Sequence, residues 1–533
     1  MAIAIDFGTS NTCIARWNPV TGQAETLSLP GLSQQLGQNP PLIPSLVYVE
    51  NAASDRVLIG QTVRDRGLDL TTDPRFFRSF KRGIGTDIQG FLPQLDGETI
   101  SFERVGKWFL SQIIDKLAIQ TPEDEQSLVL TVPVDSFEAY RLWLGEICRI
   151  LPVEQVRILD EPTAAALGYG MAERDNLLVI DFGGGTLDLS LVRLDGGGNA
   201  VKQQTGFLLQ WGKKSFAKKS GQKVKTARVL AKAGQNLGGT DIDNWIVDYF
   251  VQQQGLAVSP LTTRLAERVK IQLSSQVQAS EVYFNDETFE SYELELDRDR
   301  LTQILTQHQF FEQLDESMQQ LFQQARRQGI EVTDIDAVLL VGGTAQMPAV
   351  QTWIQQYFPS EKIHCDRPFE AIAQGALQIC QGVEVKDFLY HSYGIRYWDR
   401  RDRCHNWHPI INPGQPYPMT NPVELVLGAS LENQPSIELI VGELGAETGG
   451  TEVYFDGDRL ITRRLDNGKK QVQPLNDRDG ARQIAQLTPP GYPGSDRIKV
   501  LFQVDSQRCL RMTVEDLLTN QTLLEDRVVA QLS

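Results

Sequence analysis

The chain has 533 residues, well above the roughly 250–300 at which one hydrophobic core stops growing, so we expect at least two cores. Apolar residues make up 41% and charged residues 22%, proportions that are ordinary for a soluble globular protein. The formal net charge is −17. Such an acidic balance disfavours nucleic acids and anionic membrane surfaces as general partners, and we expect neither.

The N-terminal run MAIAIDFGTS has no basic leader, and no apolar run approaches the length of about eighteen residues that a membrane helix needs. The six cysteines are scattered without a CxxC pair, which indicates reduced thiols and a cytoplasmic location. Cys404-His405-x-x-His408 could be read as a metal site. We favour a loop with incidental polar residues, because no second ligand pair follows at a zinc-like spacing.

An internal repeat is the most informative feature of the sequence. Residues 3–16 read IAIDFGTSNTCIAR and residues 178–193 read LVIDFGGGTLDLSLVR. Each run predicts an apolar strand, an Asp, a turn of small residues and a second strand. Two such hairpins about 175 residues apart indicate a duplicated domain in which each half presents one turn to a common cleft.

A third strand and turn follow at residues 337–348, with a helix beginning near Pro348. Other helices are predicted from Glu103 to Leu117, after an N-cap at Thr240, and from Ser259-Pro260. The runs PTAAALGYG (162–170) and EAIAQGALQ (370–378) are rich in small residues. They predict either two helices that cross closely at a hinge or ordinary tight packing.

The pattern changes after about residue 385. Alternating strands at 437–444, 497–505 and 510–517, separated by Pro- and Gly-rich turns, predict an all-β sandwich. Between Gly196 and Thr240 the sequence contains nine Lys or Arg residues and no acid. We favour a solvated insertion loop there, and a docking patch for an acidic partner is the alternative.

The turns of the two hairpins have the composition of a phosphate site. Successive backbone N–H groups in such turns form a concave nest for phosphate oxygens, and Thr9, Ser10 and Thr186 add hydroxyl donors. The hairpin acids Asp6, Asp181 and Asp188 would share that cleft. Carboxylates beside phosphates repel them unless a divalent cation lies between, so the pattern predicts Mg²⁺.

The sequence resembles the seventy-kilodalton heat-shock (DnaK-like) chaperone family. The matching runs follow the family order over about 380 residues: IDFGTSNTCIA (5–15), FKRGIG (80–85), LTVPV (130–134), RILDEPTAAALGYG (157–170), IDFGGGTLDLSLV (180–192), NLGGTDID (236–243), ERVKIQLSS (267–275) and LLVGGTAQMP (339–348). The resemblance implies an α/β, duplicated actin-like (ribonuclease H-like) two-lobed ATPase domain at 1–384. A linker at 385–397 and an all-β, peptide-binding-like sandwich at 398–533 would follow it.

The same resemblance implies a set of site residues. It assigns the phosphate loops and nucleotide-contacting turns to Gly8, Thr9, Ser10, Asn11, Gly183, Gly184, Gly185, Thr186, Gly238, Gly239, Gly342 and Gly343. It implies that Asp6, Glu161 and Asp181 hold Mg²⁺, mainly through water. Lys81 would orient the attacking water, with Thr186 and Asp188 near the γ-phosphate. Contacts to the adenosine would come from Glu267, Lys270 and Ser274. Cofactors would be ATP or ADP and Mg²⁺, with K⁺ as a further candidate ion.

The sequence also departs from the family pattern. Gln346 stands where the family has an arginine that packs on adenine, and the linker retains only Asp387-Phe388-Leu389 as an echo of the family's leucine-rich run. The family has a helical lid after the sandwich, and we expect none here. We therefore weigh an ATP-driven chaperone for extended peptides against an ATP-dependent scaffold for one specific protein. J-domain and nucleotide-exchange co-chaperones are candidate partners.

Overall fold

A computed structural model describes residues 2–18, 20–37, 39–85, 92–120, 127–133, 138–150, 156–170, 176–196, 208–211, 225–285, 289–378, 388–389, 392–399, 404–412, 415–419, 421–444, 451–456, 459–464, 472–477, 483–505 and 508–532. The chain divides into two compact units. The first comprises residues 1–386 and 452–463, and the second residues 387–451 and 464–533. No helix among the described residues is long and apolar enough to cross a membrane.

The first half of the first unit, called lobe I here, is built on a seven-stranded sheet. Its strands lie in the order Leu208–Trp211, Val156–Asp160, Ser127–Val132, Ala2–Asp6, Asn11–Asn18 and Gln23–Thr26, with Ile43–Pro44 also pairing to Asn11–Asn18. The helices of this lobe include Gln61–Asp65, Phe102–Gln120 and Glu138–Ile150. The lobe also contains a three-stranded sheet of Leu46–Asn51, Arg56–Ile59 and Phe76–Arg78 and a two-stranded sheet of Gln94–Leu95 and Glu98–Thr99. The helix Phe102–Gln120 contains the stripe predicted from the sequence, and Val105, Phe109, Ile113 and Leu117 are all buried.

The second half, called lobe II, is built on a five-stranded sheet. Its strands lie in the order Lys225–Gln235, Leu187–Gly196, Asn176–Phe182, Ala337–Val341 and Ile363–His364. Its helices are Gly239–Gln254, Pro260–Ser275, Arg298–Gln307, Phe310–Arg327 and Pro348–Ile354, and its two-stranded sheet pairs Gln278–Asn285 with Glu290–Asp297. The predicted helix starts at Ser259-Pro260 and Pro348 are confirmed, with the hydroxyl of Ser259 accepting a hydrogen bond from the Thr262 amide.

The two sheets repeat one arrangement, which confirms the duplication predicted from the sequence. In each lobe an antiparallel hairpin lies beside a strand that runs parallel to the first strand of the hairpin. The first hairpin is Ala2–Asp6 with Asn11–Asn18, and the second is Asn176–Phe182 with Leu187–Gly196. The carboxyl ends of the central parallel strands therefore meet their turns at corresponding edges of the two sheets.

Two short helices of small residues pack directly against each other. Helix Glu161–Gly168 follows a lobe I strand, and helix Ala371–Ala376 follows the last lobe II strand. A Cβ on Gly375 would lie 1.8 Å from the carbonyl oxygen of Ala164, and a Cβ on Gly168 would lie 1.9 Å from that of Ala371. The two backbones thus approach so closely that only glycine fits at either position. The close approach of the two helices is confirmed, and a hinge at their crossing remains a prediction.

The N-cap predicted at Thr240 was wrong, and the loop predicted for the basic insertion is contradicted over two segments. The helix expected after an N-cap at Thr240 begins at Gly239, and its N-cap is Gly238. The carboxylate of Asp241 accepts a hydrogen bond from the Gly238 amide, so the cap interaction comes from inside the helix. The basic insertion is not simply a loop, because Leu208–Trp211 and Lys225–Gln235 are strands at the edges of lobes I and II. The rest of the insertion, 197–207 and 212–224, lies outside the described residues.

In the described residues of the second unit the regular secondary structure is β-strand, as the sequence pattern predicts. Its strands are Phe388–Leu389, Ser392–Asp399, Cys404–Ile411, Gln415–Pro416, Val423–Gly428, Gln434–Leu439, Val441–Leu444, Val472–Pro474, Gln483–Gly491, Asp496–Val504, Cys509–Asp516 and Gln521–Gln531. One hydrophobic core collects side chains from its separate sheets, among them Tyr393, Val441 and Phe502. A further pair, Thr451–Asp456 and Arg459–Arg464, falls mostly within the first unit. The domain limits remain a prediction, and strand Ser392–Asp399 begins inside the range expected for the linker.

Candidate functional site

The turns of the two hairpins lie against each other. A Cβ on Gly184 would lie 1.9 Å from Oγ of Ser10, and a Cβ on Gly185 would lie 2.6 Å from Oγ1 of Thr9. The second turn is closed by a hydrogen bond of 3.1 Å from the Gly183 amide to the carbonyl of Thr186. The structure therefore brings together the two turns that the sequence places far apart, and their approach leaves little room for a side chain at Gly184 or Gly185.

The backbone of both turns offers free hydrogen-bond donors. Among the described residues, the amides of Thr9, Ser10, Gly184 and Gly185 donate to no protein acceptor. The carbonyl oxygens nearby are used instead, since Ser45 donates its hydroxyl to Gly8 and its amide to Ser10. A concave pair of turns with unpaired N–H groups has the donor set of an anion site.

Lys81 lies at the floor of the same cleft. It belongs to the short 3-10 helix Phe80–Gly83, and its Nζ donates to the carbonyl of Phe7, the residue that starts the first turn. The same Nζ lies 3.3 Å from Oε1 of Glu161, and only 11% and 7% of the two side chains are exposed. A buried ammonium held by a carbonyl and a carboxylate keeps its charge and direction.

Each acidic residue of the site is placed by the end of a strand or the start of a helix. Asp6 ends the first strand, and its Oδ1 accepts a hydrogen bond of 2.9 Å from the Thr131 hydroxyl. Glu161 is the first residue of its helix, and the N-cap Asp160 accepts a hydrogen bond from the Thr163 amide at 2.8 Å. Asp181 and Asp188 are register partners in the second hairpin.

Burial and the neighbouring charges shift the pKa values of these acids. Burial raises the pKa of Glu161 to about 8, with Lys81 opposing the shift and Asp6 and Asp188 adding to it. Burial likewise raises the pKa of Asp181 well above its usual value, and that of Asp6 to a smaller degree. Burial alone would lower the pKa of Lys81, but the surrounding negative groups, Glu161 foremost, raise it. Four carboxyl groups act on one another around a single lysine, so their ionised forms are disfavoured unless a further cation neutralises them.

The donor set suits a magnesium ion held through water. Among the described residues, no three His, Cys, Asp or Glu side chains lie close enough to ligate one metal ion directly. Clustered carboxylates around open turns still match the preference of Mg²⁺ for oxygen ligands and for retained water. The alternative metal site at Cys404 is not supported within the same residues, and Cys404–Ile411 is a strand rather than the predicted loop.

Glycines of lobe II complete the wall beside the second turn. A Cβ on Gly238 would lie 2.5 Å from the carbonyl carbon of Gly184, and the Gly239 amide donates to the carbonyl of Gly183 at 3.0 Å. Gly342 has φ 84°, and a Cβ there would lie 2.4 Å from the carbonyl oxygen of Phe182. Positive φ and close backbone contact both require glycine at this last position.

The three helix residues predicted to contact adenosine differ in their surroundings. Nζ of Lys270 lies 2.7 Å from both the carbonyl of Gly239 and Oδ1 of Asp243, so it supports the glycine wall. Oε2 of Glu267 lies 3.5 Å from Nη2 of Arg64 in lobe I. Ser274 directs its hydroxyl to the carbonyl of Lys270 at 3.4 Å. Asn11, at the start of the second strand, pairs with Pro44.

A cavity of about 350 Å³ opens beside helix Pro260–Ser275. Its walls include Lys270, Ser274, Met347 and Trp353, and Glu267 is not among its lining residues. This volume lies within the range of small-molecule sites, which are mostly apolar with a few polar groups. The cavity thus offers a pocket for a small molecule or group next to Lys270 and Ser274 in lobe II.

The sequence did not reveal the ion pair between Arg82 and Asp241. Only 2% of the Arg82 side chain is exposed, and its Nη2 lies 3.3 Å from Oδ2 of Asp241 and 3.0 Å from the carbonyl of Asn236. The pair joins the 3-10 helix that carries Lys81 in lobe I to the helix start in lobe II. The only available signal was the position of Arg82 next to Lys81.

Comparison with known families identifies the architecture. A family model described as Hsp70 protein matches residues 85–219 and 225–395, more than half of the chain. The chain belongs to the Hsp70 family. Hsp70 membership and the actin-like two-lobed ATPase fold predicted from the sequence are thereby confirmed. Members of the Hsp70 family bind nucleotide with Mg²⁺ and are ATPases in general. The first hairpin lies before the matched residues, and the match is interrupted within the basic insertion, at 220–224.

Proposed function

We propose that this chain binds Mg²⁺-ATP between lobes I and II and hydrolyses it. The observation that carries the proposal is the convergence of two glycine turns with unpaired amides on a buried lysine and four carboxylates. Phosphoryl transfer to water depends on positioning and charge neutralisation, and this site has groups for both.

The binding roles follow from the chemistry of each group. The amides of the two turns and the hydroxyls of Thr9, Ser10 and Thr186 would take the phosphate oxygens. Asp6, Glu161 and Asp181 would hold Mg²⁺ through water. When bound, the ion neutralises charge on the phosphates. The cavity beside Lys270 and Ser274 would take the adenosine, with the turn at residues 342–343 beside the nucleotide.

Lys81 has the central role in hydrolysis. Two of its three N–H groups are used by Phe7 and Glu161, which leaves one to hold the attacking water and to stabilise charge on the transferred group. Asp188 and Thr186 would lie near the γ-phosphate. The carboxylates keep the ammonium charged, because they raise its pKa.

We further propose that nucleotide state controls how the second unit binds an extended, apolar peptide in the cytoplasm, with J-domain and nucleotide-exchange proteins as candidate co-chaperones. Backbone hydrogen bonds and side-chain pockets are the usual means of such binding. The alternative is an ATP-dependent scaffold for one specific protein. Strand Ser392–Asp399 favours it, because part of the expected linker is committed to a sheet of the second unit.

A turnover measurement with and without a panel of unfolded peptides tests both proposals. Magnesium-dependent release of phosphate by the wild-type chain, lost in Lys81→Ala, would support the ATPase. Stimulation of turnover by many peptides supports the chaperone. No stimulation by any peptide, together with tight binding of one specific protein, supports the scaffold. No turnover in the wild-type chain at any peptide concentration would contradict the proposed hydrolysis.

A further inference from the structure

The hydroxyl of Tyr140 is a buried polar group without a partner. Tyr140 lies in helix Glu138–Ile150, and only 5% of the residue is exposed. Its hydroxyl oxygen makes no hydrogen bond in the described part of the chain. Native proteins satisfy nearly all such groups with protein atoms or ordered water, so we expect an ordered water at this hydroxyl.

The ring of Tyr140 belongs to the aromatic cluster around Phe7, whose carbonyl accepts a hydrogen bond from the proposed catalytic lysine. The Tyr140 ring contacts Trp143 with centroids 5.4 Å apart, and Trp143 contacts Phe7 at 6.4 Å. Phe7 accepts the hydrogen bond from Lys81 through its carbonyl, and Nζ of Lys81 lies 5.5 Å from its ring centroid. The charges that act on the phenol belong to Lys81, Glu161 and Asp6.

We propose that Tyr140 is a positioning residue that holds one water molecule in the cleft together with Lys81 and Glu161. A buried water needs two to four polar partners, and these three groups supply them. The third N–H of Lys81 donates to the water oxygen. One O–H of the water donates to the Glu161 carboxylate and the other to the phenol oxygen. This arrangement leaves one lone pair of the water free.

The role of this water in hydrolysis rests on the function proposed above. Its free lone pair forms the new bond to the terminal phosphorus, and the bond to the bridging oxygen breaks with its electron pair leaving on ADP. One proton of the water stays on inorganic phosphate and the other is released. Burial raises the pKa of Tyr140 to about 12, with Lys81 opposing, so the phenol is neutral and adds no negative charge.

Tyr140→Phe, with Tyr357→Phe as its matched control, tests the role in hydrolysis. The hydroxyl of Tyr357 donates to Oδ1 of Asp315 at 2.6 Å in lobe II, so its loss removes a satisfied hydrogen bond remote from the turns. We expect Tyr140→Phe to slow single-turnover hydrolysis about tenfold, with KM for ATP within twofold and no loss of thermal stability. Tyr357→Phe should lower stability and leave hydrolysis unchanged. An unchanged single-turnover rate in Tyr140→Phe overturns the proposal.

A crystal structure of the nucleotide-free chain tests the water site without reference to activity. We expect one ordered water within about 3.2 Å of both the phenol oxygen and Nζ of Lys81, and its absence in Tyr140→Phe. A phenol bonded to another group, or the same water retained in the variant, overturns the inference. A wild-type chain that binds this water but shows no turnover would contradict the proposed ATPase and leave the water site standing.

Discussion

Nζ of Lys81 lies 3.3 Å from Oε1 of Glu161, and both side chains are almost fully buried beside the first turn. The two residues are 80 positions apart and come from a 3-10 helix and the start of a helix in lobe I. Their contact fixes the direction of the ammonium group. It also lowers the free-energy cost of burying the acid cluster, because a buried carboxylate without a partner is strongly destabilising.

Replacing Lys81 by Ala should remove hydrolysis and leave a folded chain. Glu161 already has a raised pKa, so it can take up a proton when the lysine is lost instead of remaining as an unpaired charge. We expect turnover to fall about 100-fold or more, with ATP affinity within a few-fold of the wild type. Lys116→Ala, at an exposed position in helix Phe102–Gln120, is the control. Equal turnover in the wild type, Lys81→Ala and Lys116→Ala would show that Lys81 has another role.

The approach of the two turns can be tested with adjacent glycines. Gly184→Ala places a Cβ 1.9 Å from Oγ and 2.9 Å from Cβ of Ser10, and no rotamer of Ser10 moves its Cβ away. Gly183→Ala places a Cβ 4.0 Å from its nearest neighbour, Oδ1 of Asp181. We expect the first change to weaken ATP binding at least tenfold, because the turns must separate, and the second to weaken it less than threefold. Fluorescent-nucleotide titration measures both. Similar affinities for the two variants would show that the phosphates do not lie between these turns.

The crossing of the two small-residue helices should be sensitive to one methyl group. A Cβ on Gly375 would meet the backbone of Ala164 at 1.8 Å, and no rotamer change can relieve a backbone clash. We expect Gly375→Ala to destabilise the first unit by about 1–3 kcal/mol, measured by urea unfolding. Gln374→Ala on the same helix changes a partly exposed side chain and should shift stability by less than about 0.5 kcal/mol. A stable Gly375→Ala variant would refute the close crossing.

A buried ion pair should make the second unit acid-sensitive. Asp516 accepts from Arg497 at 2.8 Å and 3.1 Å and from the amide of Leu518 at 2.9 Å. Burial alone would raise the pKa of Asp516, but these hydrogen bonds and that of Thr519 outweigh it and lower the pKa. The stabilisation is therefore present above the unfolded pKa of about 4 and is lost as the pH falls through the lower folded value.

Pepsin pulse proteolysis of the full chain between pH 5 and pH 2 measures this loss in peptides from residues 496–532. At pH 5 we expect Asp516→Asn to lower the free energy of unfolding of the second unit by about 3 kcal/mol, which is seen as more cleavage. Further acidification should change the cleavage of this variant little. Asp526→Asn is the control, because the Asp526 side chain is 67% exposed in its pair with Arg511. A wild-type pH profile as flat as that of Asp516→Asn would exclude this mechanism.

The parts of the fold that follow local rules could be predicted from the sequence. The two hairpins have period-2 apolar residues and an Asp-Phe-Gly run before the turn, and Ser259-Pro260 has the residue types of a helix start. The cap at Gly238 could not be read in this way. There the Thr240 amide donates to the carbonyl of Gly184, so the start of the helix is set by contact with the second turn.

Long-range contacts explain what the sequence did not disclose. The Arg82–Asp241 pair joins residues 159 positions apart, and neither residue type is unusual in its local run. Strand Leu208–Trp211 looked like part of a loop because lysines and glycines surround it, but it pairs with Val156–Asp160 at the edge of the lobe I sheet. The family resemblance placed Lys81 and Glu161 in one site, but no local pattern relates the two and their ion pair was not predicted.

Isothermal titration of the full chain with ATP, in the presence of Mg²⁺ and then of EDTA, tests the central claim most directly. If the two turns and the acid cluster hold one metal-bound triphosphate, the titration will show a single site that requires Mg²⁺. That site will weaken at least tenfold in Gly184→Ala and will persist in Lys81→Ala. Absence of magnesium-dependent heat in the folded wild-type chain would contradict the account.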